Sequence, residues 1–148
     1  MDTLKSTQLQ KGASGGLVAG SEALAGKKVI GIYFSAHWCP PCRMFTPVLK
    51  DFYEALLESG CELEVVFVSS DRSPADMAAY MNEAHGEWLA VPHGSPAAQQ
   101  LKTEFQVSGI PTLVFLRADG TVAERDGRSV VQGKGPTKAC DNNHVKRN

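Results

Sequence analysis

The stretch KKVIGIYFSAHWCPPCRMF, residues 27–45, passes from one pattern directly into another. As far as Ser35 it is a near-continuous apolar run with β-branched and aromatic residues, which suits a central strand covered on both faces. It then sets Cys39 and Cys42 two residues apart, with Pro40 and Pro41 between them. Proline fits a helix start, because the N–H it lacks is one that the first turn leaves unpaired. From Cys42 onward Met44, Phe45, Val48, Leu49, Phe52, Tyr53, Leu56 and Leu57 recur at helical spacing, and Gly60 supplies a C-terminal stop. Pro47 falls inside this helix and is expected to kink it. A cysteine pair therefore sits where a buried strand hands over to a helix.

Working outward, CELEVVFVSS (61–70) reads as a second buried strand, with Cys61 a small core residue at its start. SPADMAAYMNEAHG (73–86) and SPAAQQLKTEFQV (95–107) both open with Ser-Pro, an N-cap followed by a first-turn proline. TLVFLR (112–117) and the following TVAERDG form a hairpin around Asp119 and Gly120. This order implies an α/β sheet with parallel pairs and an antiparallel edge. Upstream, residues 1–15 read as a loose lead-in, although STQLQ and GLVAG can pair as short edge strands and SEALAGK can make one helical turn. We expect one domain over residues 1–134, followed by a polar, flexible tail over 135–148 in which Cys140 is an incidental thiol.

Length and composition agree with that reading. A chain of 148 residues with 43% hydrophobic residues can bury a core without metal or disulfide staples. Fifteen Lys and Arg against sixteen Asp and Glu leave a net charge of −1, which lacks the basic excess of a nucleic-acid binder. No apolar run approaches the roughly 18 residues of a membrane span. The start, MDTLKSTQLQKGASGG, lacks the apolar segment of a secretory leader, so the expectation is a cytoplasmic, reducing location.

In that setting a close cysteine pair points to redox chemistry or to metal. A structural zinc site wants four ligands. Cys61 and Cys140 are solitary, and His37, His85, His93 and His144 form no run at ligand spacing, so no metal and no cofactor are expected. A helix N-terminus favours an anion and lowers a thiol's pKa, and the thiolate is the form that attacks a disulfide. Cys39, ahead of the helix, is expected to be the exposed nucleophile, and Cys42, one turn in, the buried resolving thiol. SGIPT (108–112) adds a second signal. Ile110-Pro111 can form an ordinary trans turn or a cis one. Beside the cysteine pair the cis reading is preferred, leaving Ile110 to pair with an extended substrate segment near Cys39.

Taken together, WCPPCR after a buried strand, Pro47 in the next helix and IPT before a later strand resemble the thioredoxin superfamily. IYFSAHWCPPCRMFTPVLKDFYEAL, EVVFVSSD and HGEWLAVP are similar, more narrowly, to its tryparedoxin/nucleoredoxin branch over about residues 16–130. The resemblance implies a thioredoxin fold, with a central mixed β-sheet flanked by helices. It also implies dithiol–disulfide exchange by Cys39 and Cys42, a Trp38 that shields the pair and a cis Pro111. Many thioredoxins carry a buried acid six residues before the first cysteine; here that place holds Tyr33, expected to be a core residue with its hydroxyl satisfied. A proton acceptor for Cys42 must then lie elsewhere. Asp71 is the candidate, with a loop acid or helix cap as its other reading. Arg43 either stabilises a thiolate or is simply solvated. Arg128 matches a basic residue that the resemblance places near the active-site face, and Trp88 reads as a packing anchor. Relatives continue into an apolar C-terminal helix, whereas TKACDNNHVKRN offers no such face, so that helix is expected to be absent or truncated.

The expected function is that of a protein-disulfide reductase. It would be a monomer passing electrons from an upstream thiol reductant or reductase to disulfide-bearing proteins, a peroxiredoxin among them, with no nucleic acid or membrane as partner. The rival is a redox-dependent binding or signalling module of nucleoredoxin-like type with little turnover.

Overall fold

The computed structural model describes residues 2–13 and 15–133; the expected tail and Cys140 lie outside the described residues. The elements run α1 (Asp2–Lys5), β1 (Gln8–Lys11), β2 (Leu17–Ala19), α2 (Gly20–Ala23), β3 (Val29–Ser35), α3 (Pro40–Glu58) and β4 (Leu63–Ser69). They continue with α4 (Pro74–Ala84), β5 (Leu89–Ala90), α5 (Pro96–Glu104), β6 (Thr112–Arg117), β7 (Val122–Glu124) and α6 (Gly127–Gly133). The strands form one mixed sheet in the order β2-β1-β5-β4-β3-β6-β7. β3, β4 and β5 are parallel neighbours, while β6 and β7 close one edge antiparallel and β1 and β2 the other.

The apolar run of β3 is buried at every position because helices cover both faces of the sheet. Side chains alternate along a strand. Val29 and Tyr33 therefore join Leu63, Val65, Phe67, Leu113 and Phe115 against α3, α4 and α6. Ile30, Ile32 and Phe34 join Val66, Val68, Val114 and Leu116 against α1 and α5. α3 runs through Pro47 and ends at the Ser59 cap, beyond which Gly60 takes φ +87°, a conformation that costs other residues a steric penalty. Ser73 and Ser95 cap α4 and α5 with their hydroxyls, as their Ser-Pro openings predict.

Two ends differ from expectation. In the lead-in, STQLQ and GLVAG contribute the paired edge strands β1 and β2, as the sequence allows, and the described residues of the segment are packed rather than loose. Leu4 and Leu9 are fully buried, and β1 pairs with β5 through Gln10–Ala90 and Lys11–Leu89. Two isolated leucines anchor this polar segment, too few to register as a periodic pattern. At the other end α6 was not anticipated, yet Val130 and Val131 are buried in the core on the α3 side. Its first residue must be small, because a Cβ on Gly127 would lie 2.7 Å from the Leu113 carbonyl oxygen. The expectation of an absent or truncated C-terminal helix bears on residues beyond 133, outside those described.

Candidate active site

The site forms at the carboxyl end of β3, where the chain turns into α3. Cys39 is the N-cap of that helix, with Pro40 and Pro41 in its first turn. Its sulfur accepts from the Cys42 N–H at 3.4 Å and reaches the Ile110 carbonyl at 3.9 Å. This capping geometry turns the sulfur inward, so Cys39 is 5% exposed rather than open to solvent as expected. Ala36, Cys39 and Cys42 form a small apolar cluster, covered at one side by Ile110.

Cys42 is fully buried, one turn into α3. Burial, and after it the hydrogen bond to Cys39, push its thiol up to about 11, so it is a neutral S–H near pH 7. The Ser35 hydroxyl and the Ala36 backbone act in the opposite direction and lower it. Behind it the hydroxyls of Ser35, Tyr80, Thr46 and Tyr33 lie in hydrogen-bond contact with one another. Tyr33 is thus buried with its hydroxyl satisfied by Thr46 at 2.6 Å, and burial raises its pKa.

The other anticipated residues gather around the pair in distinct ways. The Ile110–Pro111 peptide is cis. Arg128 donates to the Pro111 carbonyl at 3.4 Å and lies 5.5 Å from the Phe45 ring centroid, tying this loop to α3. Trp38 is 51% exposed; its indole N–H donates to the Ser70 carbonyl at 3.0 Å, and Arg72 stacks on its ring. Asp71 is buried, but its carboxylate accepts from the His37 N–H at 2.7 Å and the Ser69 hydroxyl at 2.8 Å. It fixes the turn that presents Trp38 and is not among the groups bonded to Cys42. Arg43 is exposed on the outer side of α3 and lines a groove with Lys50, Asp51, Tyr80 and Glu83.

Several residues of the site escape a reading of the sequence. His37 stacks on Tyr80 and bonds Glu83 at 3.1 Å. His85 is enclosed by Phe67, Tyr80 and Trp88, and its Nδ1 accepts from the Trp88 indole at 3.1 Å. Burial lowers its pKa to about 3, so it is neutral. Trp88 is a packing anchor, as expected, with a polar handle on this histidine. Two signals were available: Ser35 is a polar residue ending an otherwise apolar strand, and Thr46 repeats Cys42 at the i+4 position. Tyr80 offered none. Among the described residues, no group of three or more Cys, His, Asp and Glu is placed to hold a metal ion, and no helix there is long and apolar enough to cross a membrane.

Comparison with known proteins bears on this geometry. Residues 26–122 match the family model described as thioredoxin-like. Nucleoredoxin of Danio rerio is 46% identical over 109 residues, which cover 73% of this chain. The chain spans about a quarter of the length of the curated relatives it matches, 25% in that case. Among solved structures, thioredoxin from Wuchereria bancrofti superposes with a TM-score of 0.82 at 47% identity, covering 93% of this chain and 94% of that one. Tryparedoxin II from C. fasciculata gives a TM-score of 0.76 at 40% identity, covering 90% and 89%.

Proposed function

The chain belongs to the thioredoxin superfamily, in its tryparedoxin/nucleoredoxin-like branch, a family of thiol–disulfide oxidoreductases, and on that premise we propose that it reduces disulfides in partner proteins through Cys39 and Cys42. The observation that carries this reading is the place of the Cys39 sulfur. It caps α3 within reach of the Cys42 N–H and lies against the Ile110 carbonyl at the rim. A thiolate there keeps a backbone donor and the favourable end of a 19-residue helix.

Cys39 attacks one sulfur of the partner's disulfide and expels the other, which leaves as a thiol. Cys42 then attacks Cys39, releasing the second partner thiol and closing the Cys39–Cys42 disulfide. An upstream thiol reductant or reductase returns the pair to the dithiol. Ile110, next to the cis Pro111, offers its backbone to an extended partner segment, and Trp38, immediately before Cys39, shields the pair. We place a peroxiredoxin among the partners and take the protein to act as a monomer in a reducing, cytoplasmic setting.

Insulin reduction, recycled by dithiothreitol, tests the reading. Cys39→Ser is expected to abolish turnover, and Cys42→Ser to accumulate a mixed disulfide with the substrate. Normal turnover by Cys39→Ser sinks the proposal. Slow wild-type turnover, together with a large affinity difference between oxidised and reduced forms for a partner, instead favours the redox-dependent binding module.

A further inference from the structure

Five large apolar side chains are exposed among the described residues, and three of them stand near the cysteine pair in the chain: Trp38 at 51%, Met44 at 77% and Val48 at 41%. Trp38 immediately precedes Cys39, while Met44 and Val48 are one turn apart in the first half of α3. Exposed apolar side chains concentrated beside reacting sulfurs are ones that a protein partner would cover. The exchange scheme gives work to Trp38 alone among them.

The charges around them are not balanced. Arg72 lies over the Trp38 ring, its guanidinium carbon 5.8 Å from the ring centroid. Arg43, Pro47 and Lys50 recur at helical spacing on α3 and line one wall of a groove of about 380 Å³, with Tyr80 and Glu83 of α4 on the other. His37 joins this groove to the cysteines, since it precedes Trp38, stacks on Tyr80 and bonds Glu83 at 3.1 Å. Among the described residues, no carboxylate lies within ion-pair distance of Arg43, Lys50 or Arg72. The nearby acids are engaged elsewhere: Glu83 with His37, and Asp71 with the His37 N–H and the Ser69 hydroxyl. Asp51, the other acid of the groove, sets one negative charge against three positive ones. In a chain of net charge −1, the rim therefore carries a local positive excess.

We propose that this rim is a docking surface for an acidic segment of the partner protein, one that carries Asp or Glu beside the disulfide it offers. Arg43, Lys50 and Arg72 are its specificity-determining residues; this rests on the exchange reading above. The Arg72 guanidinium makes no hydrogen bond among the described residues, so its N–H donors remain for a carboxylate. A partner seated on Trp38 and Met44 excludes water from these charges, where attraction counts for more than on an open surface. A basic segment meets like charge at the same place and is disfavoured. Attraction also acts before contact, so the preference appears in kcat/KM and fades as salt screens it. The bonds made and broken remain those of the exchange itself.

Short peptide disulfides with aspartates or lysines on both sides of the cysteine test the assignment. Each rate is divided by that of the same peptide with dithiothreitol, which removes the effect of neighbouring charge on the disulfide's own reactivity. The acidic peptide is expected to exceed the basic one by roughly tenfold in kcat/KM at low salt, and by less than about threefold in about 0.5 M NaCl. Arg43→Gln, Lys50→Gln and Arg72→Gln should each shrink this preference by about twofold, and the triple variant should abolish it. Because the readout is a ratio, a loss of activity common to both peptides cancels. A wild-type ratio within about twofold, or a triple variant that keeps the wild-type ratio, overturns the proposal. Should the triple variant not fold, the three single variants decide on the same ratio. If the wild type reduces neither peptide nor insulin, the exchange reading fails, and the surface is judged by fluorescence anisotropy of labelled peptides with serine in place of cysteine. Salt-sensitive preference for the acidic peptide then upholds it, and equal or absent binding overturns it.

Discussion

Two prolines separate two sulfurs with unlike surroundings. Cys39 belongs to a rim made of loop, the Trp38 turn and Ile110–Pro111, held by hydrogen bonds to neighbouring backbone and to the Asp71 carboxylate. Cys42 belongs to a floor made of secondary structure, where β3, α3 and α4 each send a hydroxyl into one buried group. The rim can change its contacts at little cost to the fold, which suits a surface that must receive other molecules. The floor cannot, because its partners are fixed by the core. The difference teaches that recognition and resolution are carried by separable parts of the molecule, and substitutions should divide accordingly.

The largest expected effect lies in the floor. Thr46→Val keeps the side-chain shape but removes the acceptor of two tyrosine hydroxyls and the donor to the Cys42 carbonyl. Stability should fall by about 2–3 kcal/mol, since buried tyrosine hydroxyls are left without partners. Urea denaturation would measure it, and an unchanged midpoint would show that the floor is as adaptable as the rim.

A second effect falls on the same side of the comparison and depends on pH. His85 packs 4.4 Å, centroid to centroid, from both Phe67 and Tyr80. Its pKa is about 3 in the folded chain against an ordinary 6.5. The unfolded chain therefore binds this proton first as pH falls. Stability is full above pH 6.5 and drains away between there and about pH 3. At pH 5 the loss should be about 2 kcal/mol. His85→Asn, whose amide oxygen can still accept from Trp88, should be weaker at neutral pH but flatter between pH 7 and 5. An equal slope in both proteins would assign the acid sensitivity to other groups.

The legibility of the two regions in the sequence differs for the same physical reason. The rim and the helix start are local: Trp-Cys-Pro-Pro-Cys and Ile-Pro state their geometry within a few residues. The strands of the central sheet are local too, since β3, β4 and β6 are apolar runs that both faces of a covered sheet require. The floor is assembled from residues 33, 35, 46 and 80, whose convergence depends on the register of β3 beside β4 and on the seating of α4. No spacing encodes that. The β1–β2 edge pair was legible in STQLQ and GLVAG, but the burial of Leu4 and Leu9 was not, because each is a lone anchor covered by α5 and β5 far along the chain. Asp71 was legible as a residue near the pair, but whether it faced the sulfur or the loop was a question of one or two ångströms.

On the rim, Trp38→Ala should cost the fold less than about 1 kcal/mol, because the indole is half exposed and gives up one hydrogen bond and one exposed cation–π contact. Its effect should appear instead in the reduction of protein disulfides. There kcat/KM should drop by about fivefold, roughly 1 kcal/mol, with little change toward a small aromatic disulfide. A loss equal for both substrates would mean that Trp38 supports the cysteine pair rather than its partners.

Asp71→Asn carries the smallest expected effect and draws the border between the two regions. The asparagine oxygen can take the His37 N–H, and its amide can donate to the Ser69 hydroxyl, so both contacts of the carboxylate have replacements. If Asp71 works only by pinning the turn before Trp38, resolution by Cys42 should change by no more than about twofold, within what a retained hydrogen bond allows. If instead it takes the Cys42 proton, the amide cannot, and release of the second thiol from a small aromatic disulfide, the step that Cys42→Ser lacks, should slow by roughly tenfold or more. The former outcome leaves Asp71 as part of the rim. The latter would move the floor's boundary outward to include a carboxylate that the structure occupies with loop hydrogen bonds.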